Sequence, residues 1–286
     1  MKEFFLRSTY GLLYVLVILI FTYYNLSPIL LYGMGILALG ELKILLHQSS
    51  RQYKLWNWIF FLSILPWIST VLLNTLFYDP MNPGLYVSVL NRLQIDFLVK
   101  NFFEWRWVWL SIFVVYVIVK FFRLGWYAIL PFAYVMLPVI FALELDLVDE
   151  SILLSPVLVI FMYMWVFDTF SYMVGKLIGR HPVAPSISPG KTWEGLSGGL
   201  LGVLGLSYLM FYKEIFPFEN VSSVIMLGIA MGLAAFFGDL FESGLKRKAG
   251  VKDSGKLIPG HGGILDRIDS FLFASPAFFF SYLIIV

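Results

Sequence analysis

No cysteine occurs among the 286 residues, which excludes a disulfide framework, a thiolate nucleophile and any cysteine-held metal. Histidine is nearly as scarce. The three present lie far apart, without an HExxH pattern, so a zinc site is not expected. Charge is scarce as well: Asp, Glu, Lys and Arg make up 13% of the chain, against 60% hydrophobic residues. A soluble domain of this size cannot bury that much apolar surface, so the composition predicts an all-α, polytopic integral membrane protein. The first apolar run lacks a small-residue cleavage site and a second run follows at once, so it is not expected to be a removable signal. The net charge of +2 says little, and no nucleic-acid partner is expected.

A membrane-spanning helix needs roughly 20 mostly apolar residues. Nine segments qualify: Phe4–Tyr24, Pro28–Leu46, Leu55–Tyr78, Trp105–Phe122, Leu124–Leu143, Ser151–Gly175, Gly195–Tyr212, Asn220–Phe241 and Ser270–Val286, the last of them short. With the N-terminus cytoplasmic and the C-terminus outside, 16 of the 20 basic residues fall on the cytoplasmic side, leaving Arg92, Lys100, Arg106 and Lys213 outside. That asymmetry is the positive-inside pattern. Glu144, Asp146, Asp149 and Glu150 make one outer loop acidic. The connection 79–104 mixes polar and apolar residues and is expected to lie as a structural interfacial helix.

The two halves differ. Residues 1–150 hold bulky spans with no acid at mid-span, the expected transmembrane scaffold. Residues 151–286 hold small residues and acids, the expected catalytic region. The pairs Gly195/Gly199, Gly198/Gly202 and Gly228/Gly232 are four apart, which lets helix backbones approach closely and permits, without requiring, a homodimer.

Asp168 lies within the sixth span, where an acid is costly unless it faces a polar cavity or reaches water near a helix end. Asp239, Glu242 and Ser243 share one helix face at i, i+3 and i+4. Paired carboxylates there suit Mg²⁺, or form a solvated helix end balanced by Lys246 and Arg247. Asp266 and Asp269 stand where they can meet the Asp239 group and complete a carboxylate-lined metal site. His261-Gly262-Gly263 is a turn whose backbone can approach a phosphate. Ser188-Pro-Gly-Lys-Thr-Trp-Glu-Gly195 leads into the seventh span, an anion site at a helix N-terminus. Alternatively, Lys191 is an interfacial anchor and Glu194 a first-turn acid that complements the helix dipole. The stretch is not a phosphate-binding P-loop, because Pro185 replaces the first glycine and no strand is predicted before it. Lys246-Arg247-Lys248 alone reads as a membrane anchor; beside the carboxylates and the glycine turn it reads as part of a phosphate-handling site.

Ser243-x-Leu-Lys-Arg-x₄-Lys-Asp-x-Gly-x₂-Ile-Pro-Gly-His-Gly-Gly-x₂-Asp-Arg-x-Asp269 resembles the diagnostic motif of the phosphatidate cytidylyltransferases. Ser188–Gly195, with Asp168 upstream, is similar to a second block of that family. The resemblance covers about residues 165–270, and it departs at Thr169-Phe-Ser-Tyr, where Gly-Ala is expected. It implies transfer of CMP from CTP to phosphatidic acid, giving CDP-diacylglycerol and pyrophosphate. It implies Mg²⁺, with a second cation as an option, and a site on the cytoplasmic face; size and simplicity suggest a bacterial inner membrane. On that reading Asp239 and Asp266 are the first choices as metal ligands, and Asp168 and Asp269 are second choices as ligands or orienting acids. Lys246, Arg247 and Lys252 bind phosphate and Lys191 lines the cavity. His261 and Glu194 position substrate, and Ser243, Gly262, Gly263 and Arg267 complete the substrate-binding set. A relative that transfers a phosphoryl group from CTP to a lipid alcohol is the alternative. A transporter is disfavoured, because no internal repeat appears and the acids gather on one side.

Overall fold

A computed structural model describes residues 2–24, 26–49, 130–148, 154–215, 220–260 and 262–285. The predicted spans 55–78 and 105–122, the connection 79–104 and His261 lie outside the described residues. Residues 1–50 with 134–286 are the first of two units into which the chain divides. Every element named below belongs to the first.

Helix α1 (Lys2–Tyr23) and helix α2 (Ser27–Ser49) are separated by the predicted break before Pro28. Helix α3 (Leu137–Val148) continues through Glu144 and Asp146. The acidic stretch expected to be a loop is therefore, in part, the last turns of a helix. Helix α4 (Pro156–Ile178) opens on a proline, whose fixed φ and missing N–H suit a first helical turn.

The chain then does something that an all-α reading did not foresee. Strands β1 (Pro182–Ala184) and β2 (Ser188–Thr192) pair antiparallel, with Pro182 opposite Thr192 and Ala184 opposite Ser188. Prolines at 182, 185 and 189 forbid helix here. A two-stranded ribbon with open edges tolerates Pro189, which has no ladder N–H to give. A strand thus does precede the seventh predicted span.

Helix α5 (Trp193–Tyr212) starts where the Thr192 hydroxyl accepts a hydrogen bond from the Gly195 N–H at 3.1 Å. Helix α6 (Val221–Lys248) runs seven residues past its predicted end, so Glu242, Ser243 and Lys246 stay helical. Its 28 residues span about 42 Å, more than the roughly 30 Å of a hydrocarbon core. Lys246, Arg247 and Lys248 close it, complementing the helix dipole. Helix α7 (Leu265–Ile285) is not short: it begins five residues earlier than predicted, with Asp266 and Asp269 in its first turns. Five of these helices, α2, α4, α5, α6 and α7, are long and apolar enough to cross a membrane.

Small residues set the spacing. A Cβ placed on Gly199 would lie 2.6 Å from the Phe167 ring, and one on Gly202 would lie 2.7 Å from Phe170, so α4 and α5 touch through bare backbone. Gly232 meets Leu200 and Val203 between α5 and α6, and Gly238 meets the Asp269 carbonyl between α6 and α7. The glycine pairs read from sequence are thereby occupied within one chain. Buried between α4 and α5, Tyr163 and Ser207 share a hydrogen bond of 2.8 Å.

Candidate functional site

Helix α6 presents two carboxylates, each held by a lysine. Asp239 takes the Lys191 ammonium on Oδ2 at 2.8 Å and the Ser243 hydroxyl on Oδ1 at 3.2 Å. Lys191 arrives from β2, sits 5.0 Å from the Phe236 ring centroid and also reaches the Phe236 carbonyl at 3.3 Å. The ribbon thus lays one cation on α6.

One turn further on, Lys246 lies buried between Glu242, at 2.5 Å, and Asp266 of α7, at 2.7 Å. Glu242 is fully buried, and its Oε1 has no hydrogen-bond partner among the described residues. A buried pair of this kind contributes little net stability, but removing one partner strands a charge and costs about 3–5 kcal/mol. Asp266 accepts the Lys246 ammonium on Oδ1 and three donors on Oδ2: Gly263 N–H at 2.7 Å, Ser254 N–H at 2.9 Å and the Ser254 hydroxyl at 2.9 Å. The loop before α7 folds back through an Ile258–Gly262 bridge, with Gly260 and Gly262 at φ 75° and 90°, conformations that only glycine adopts without strain.

Asp269 is buried one turn along α7, its Oδ1 accepting the Ser270 N–H at 2.7 Å. Asp168 of α4 is exposed and forms no hydrogen bond or ion pair among the described residues. It lies within electrostatic reach of Asp239, Lys191 and Arg267, and Asp269 lies within reach of Asp239, Glu242 and Asp168. Tyr14 of α1 joins them, donating its hydroxyl to the Arg267 carbonyl at 3.1 Å.

The remaining predicted residues spread out. Arg247 is exposed and donates to the Ile187 and Val251 carbonyls, and Lys252 is exposed on the loop. Glu194 accepts the Arg180 and His181 N–H groups and the His181 ring, bracing the base of the ribbon. Gly263 has its N–H on Asp266, and Gly262 packs against the same carboxylate.

The family resemblance implies Mg²⁺. Among the described residues no three acidic or histidine side chains already converge to hold an ion. Mg²⁺ does not need such a cage, since it is usually held by one or two carboxylates together with substrate phosphates. Asp168 and Asp239 fit that role: they are hard oxygen donors, and with Asp269 they outnumber the two cations, Lys191 and Arg267, that face Asp168.

Three residues escaped the sequence reading. Ser254 is buried against Asp266, and Tyr14 stands beside Arg267. The third, Glu41 of α2, is a correction. The first half was expected to carry no acid at mid-span, yet Glu41 is buried and bonded to Ser254, Ile264 and Leu265. The signal was present, as an acid inside an apolar segment.

The profile of the Cytidylyltransferase family matches residues 6–285. A phosphatidate cytidylyltransferase of Staphylococcus aureus is 48% identical over 122 residues, 42% of this chain and 46% of its own length. One of Haemophilus influenzae is 44% identical over 128 residues, 44% of each chain. A chloroplastic one of Arabidopsis thaliana is 51% identical over 106 residues, 37% of this chain and 26% of its own. The chain thus spans less than half the length of these curated relatives.

Proposed function

Because this chain belongs to the cytidylyltransferase family, we propose that it transfers CMP from CTP to phosphatidic acid, forming CDP-diacylglycerol and pyrophosphate. A phosphate oxygen of the lipid attacks the α-phosphorus of CTP; the new P–O bond forms as the bond to the β-phosphate bridge breaks, and pyrophosphate leaves. The attacking phosphate is already an anion, so no general base is required. The difficulty is repulsion between two polyanions, and the remedy is positioning plus positive charge.

The observation that carries the reading is Lys191 set on Asp239 at 2.8 Å, with Asp168 of α4 and Asp269 of α7 within electrostatic reach of the same carboxylate. Bound there, Mg²⁺ would neutralise phosphate charge. Asp168 and Asp239 would hold it. Asp266 has its two oxygens engaged by four donors, which favours a positioning role over direct ligation. Lys191, set on Asp239, would meet a phosphate as well. Exposed Arg247 and Lys252 suit the nucleotide phosphates arriving from water. Nine spans with a cytoplasmic N-terminus, an outside C-terminus and the site on the cytoplasmic face of a bacterial inner membrane complete the proposal. Its support is the bias of 16 basic residues out of 20 to one side.

The test is pyrophosphate release by the purified protein in detergent, given phosphatidic acid, CTP and Mg²⁺, with a chelator control. Release that needs both substrates and the metal supports the proposal. CDP as product moves the protein to phosphoryl transfer onto a lipid alcohol. No nucleotide turnover with any lipid overturns both.

A further inference from the structure

We propose that Glu41 is a positioning residue of this site, fixing from α2 the loop and helix start that aim Asp266. The proposal rests on the cytidylyltransferase reading above for its kinetic readout, but not for its structural one.

The start of α7 lacks its own cap. The residues before Leu265 are Gly262, Gly263 and Ile264, and none has a side chain that can accept a backbone N–H. Glu41 supplies the acceptor from more than 220 residues away. Its Oε1 takes the Ile264 N–H at 3.0 Å and its Oε2 takes the Leu265 N–H at 2.8 Å. Its Oε2 also lies 3.0 Å from the Ser254 hydroxyl, which is 2.9 Å from Asp266 Oδ2. One hydroxyl has one proton, so Ser254 serves the two carboxylates in turn and ties their positions together. A Cβ on Gly255 or Gly263 would collide with the Glu41 carboxylate, so both glycines are shaped around it. Asp266 in turn holds Lys246. The chain of contacts runs Glu41, Ser254, Asp266, Lys246, and of these Glu41, Ser254 and Lys246 are buried and Asp266 half-buried.

A buried acid that merely stabilised the fold would affect the amount of folded protein. A positioning acid affects kcat of the folded fraction. Glu41→Gln keeps the volume but turns an amide donor toward backbone N–H groups, and Glu41→Asp keeps the charge one methylene short. We expect Glu41→Gln to lower kcat at least tenfold with little change in the KM of CTP. Glu41→Asp should recover part of that loss, and adding Ser254→Ala to Glu41→Gln should cost less than the two single losses combined. Wild-type kcat in Glu41→Gln, or losses that simply multiply, overturns the proposal. The second readout needs no turnover. The chain has no cysteine, so Ile264→Cys, at a buried position, reports loop opening by maleimide labelling. Labelling at least tenfold faster in Glu41→Gln is expected, and equal rates refute the positioning role. If the wild type releases no pyrophosphate, the functional reading fails while the labelling result still decides the role of Glu41.

Discussion

Two helix pairs in this molecule solve one problem in opposite ways. Helices in lipid gain little from apolar burial against each other, because the lipid is as apolar as they are. The α4–α5 pair answers with bare backbone: Gly199 against Phe167, Gly202 against Phe170. The α6–α7 pair adds a polar network, with Lys246 bridging Glu242 and Asp266 and the Ser270 hydroxyl donating to the Ala235 carbonyl at 3.1 Å. Close packing holds helices without leaving a functional group behind. Polar wiring holds them and leaves ionised side chains at fixed positions. The second pair carries the ionised network, and Asp168, on α4 of the first pair, lies within electrostatic reach of Asp239 on the second.

Four substitutions would sharpen or break this contrast. Asp266→Asn should abolish pyrophosphate release, by about 100-fold or more, since activity that depends on positioned charge falls steeply when the charge goes. Its elution from a sizing column should stay that of the wild type. Lys246→Met should be the most destabilising, by about 3–5 kcal/mol, because it strands two carboxylates; thermal unfolding in detergent would read it, and an unchanged midpoint would end the claim that the network holds α6 to α7. Gly199→Leu forces a side chain into the Phe167 ring and should cost about 1–3 kcal/mol, with activity falling only as far as folded protein is lost. Tyr163→Phe removes one buried hydrogen bond to Ser207 and should cost about 0.6 kcal/mol, leaving turnover alone. A larger effect there would mean that polar wiring matters in the first pair too.

Much of the candidate site was legible because its residues lie close in sequence on regular helices. Asp239, Ser243 and Lys246 follow from the four-residue repeat of α6, and Asp266 and Asp269 from the start of α7. What sequence periodicity cannot supply is which charged groups meet. Lys246 was expected, with Arg247, to bind phosphate, yet tertiary packing turns it inward between two acids while Arg247, one residue later, is exposed. The ribbon was missed because three prolines mark only where helix is impossible, not which extended segments pair. Glu41 was legible only as an acid inside an apolar segment; its partners were not, because they lie 213 to 224 residues away, a separation no local pattern spans.

That separation also sets a clock. At about 5–20 residues per second, a ribosome needs roughly 10–45 s to go from Glu41 to the residues that satisfy it. During that interval an acid has entered a membrane helix without the amides and hydroxyl that will hold it. Until α7 arrives, the Glu41 carboxyl has none of the partners that hold it in the folded chain. Biogenesis of this protein is therefore expected to have a late checkpoint, at which the earliest helices and α7 close the site together.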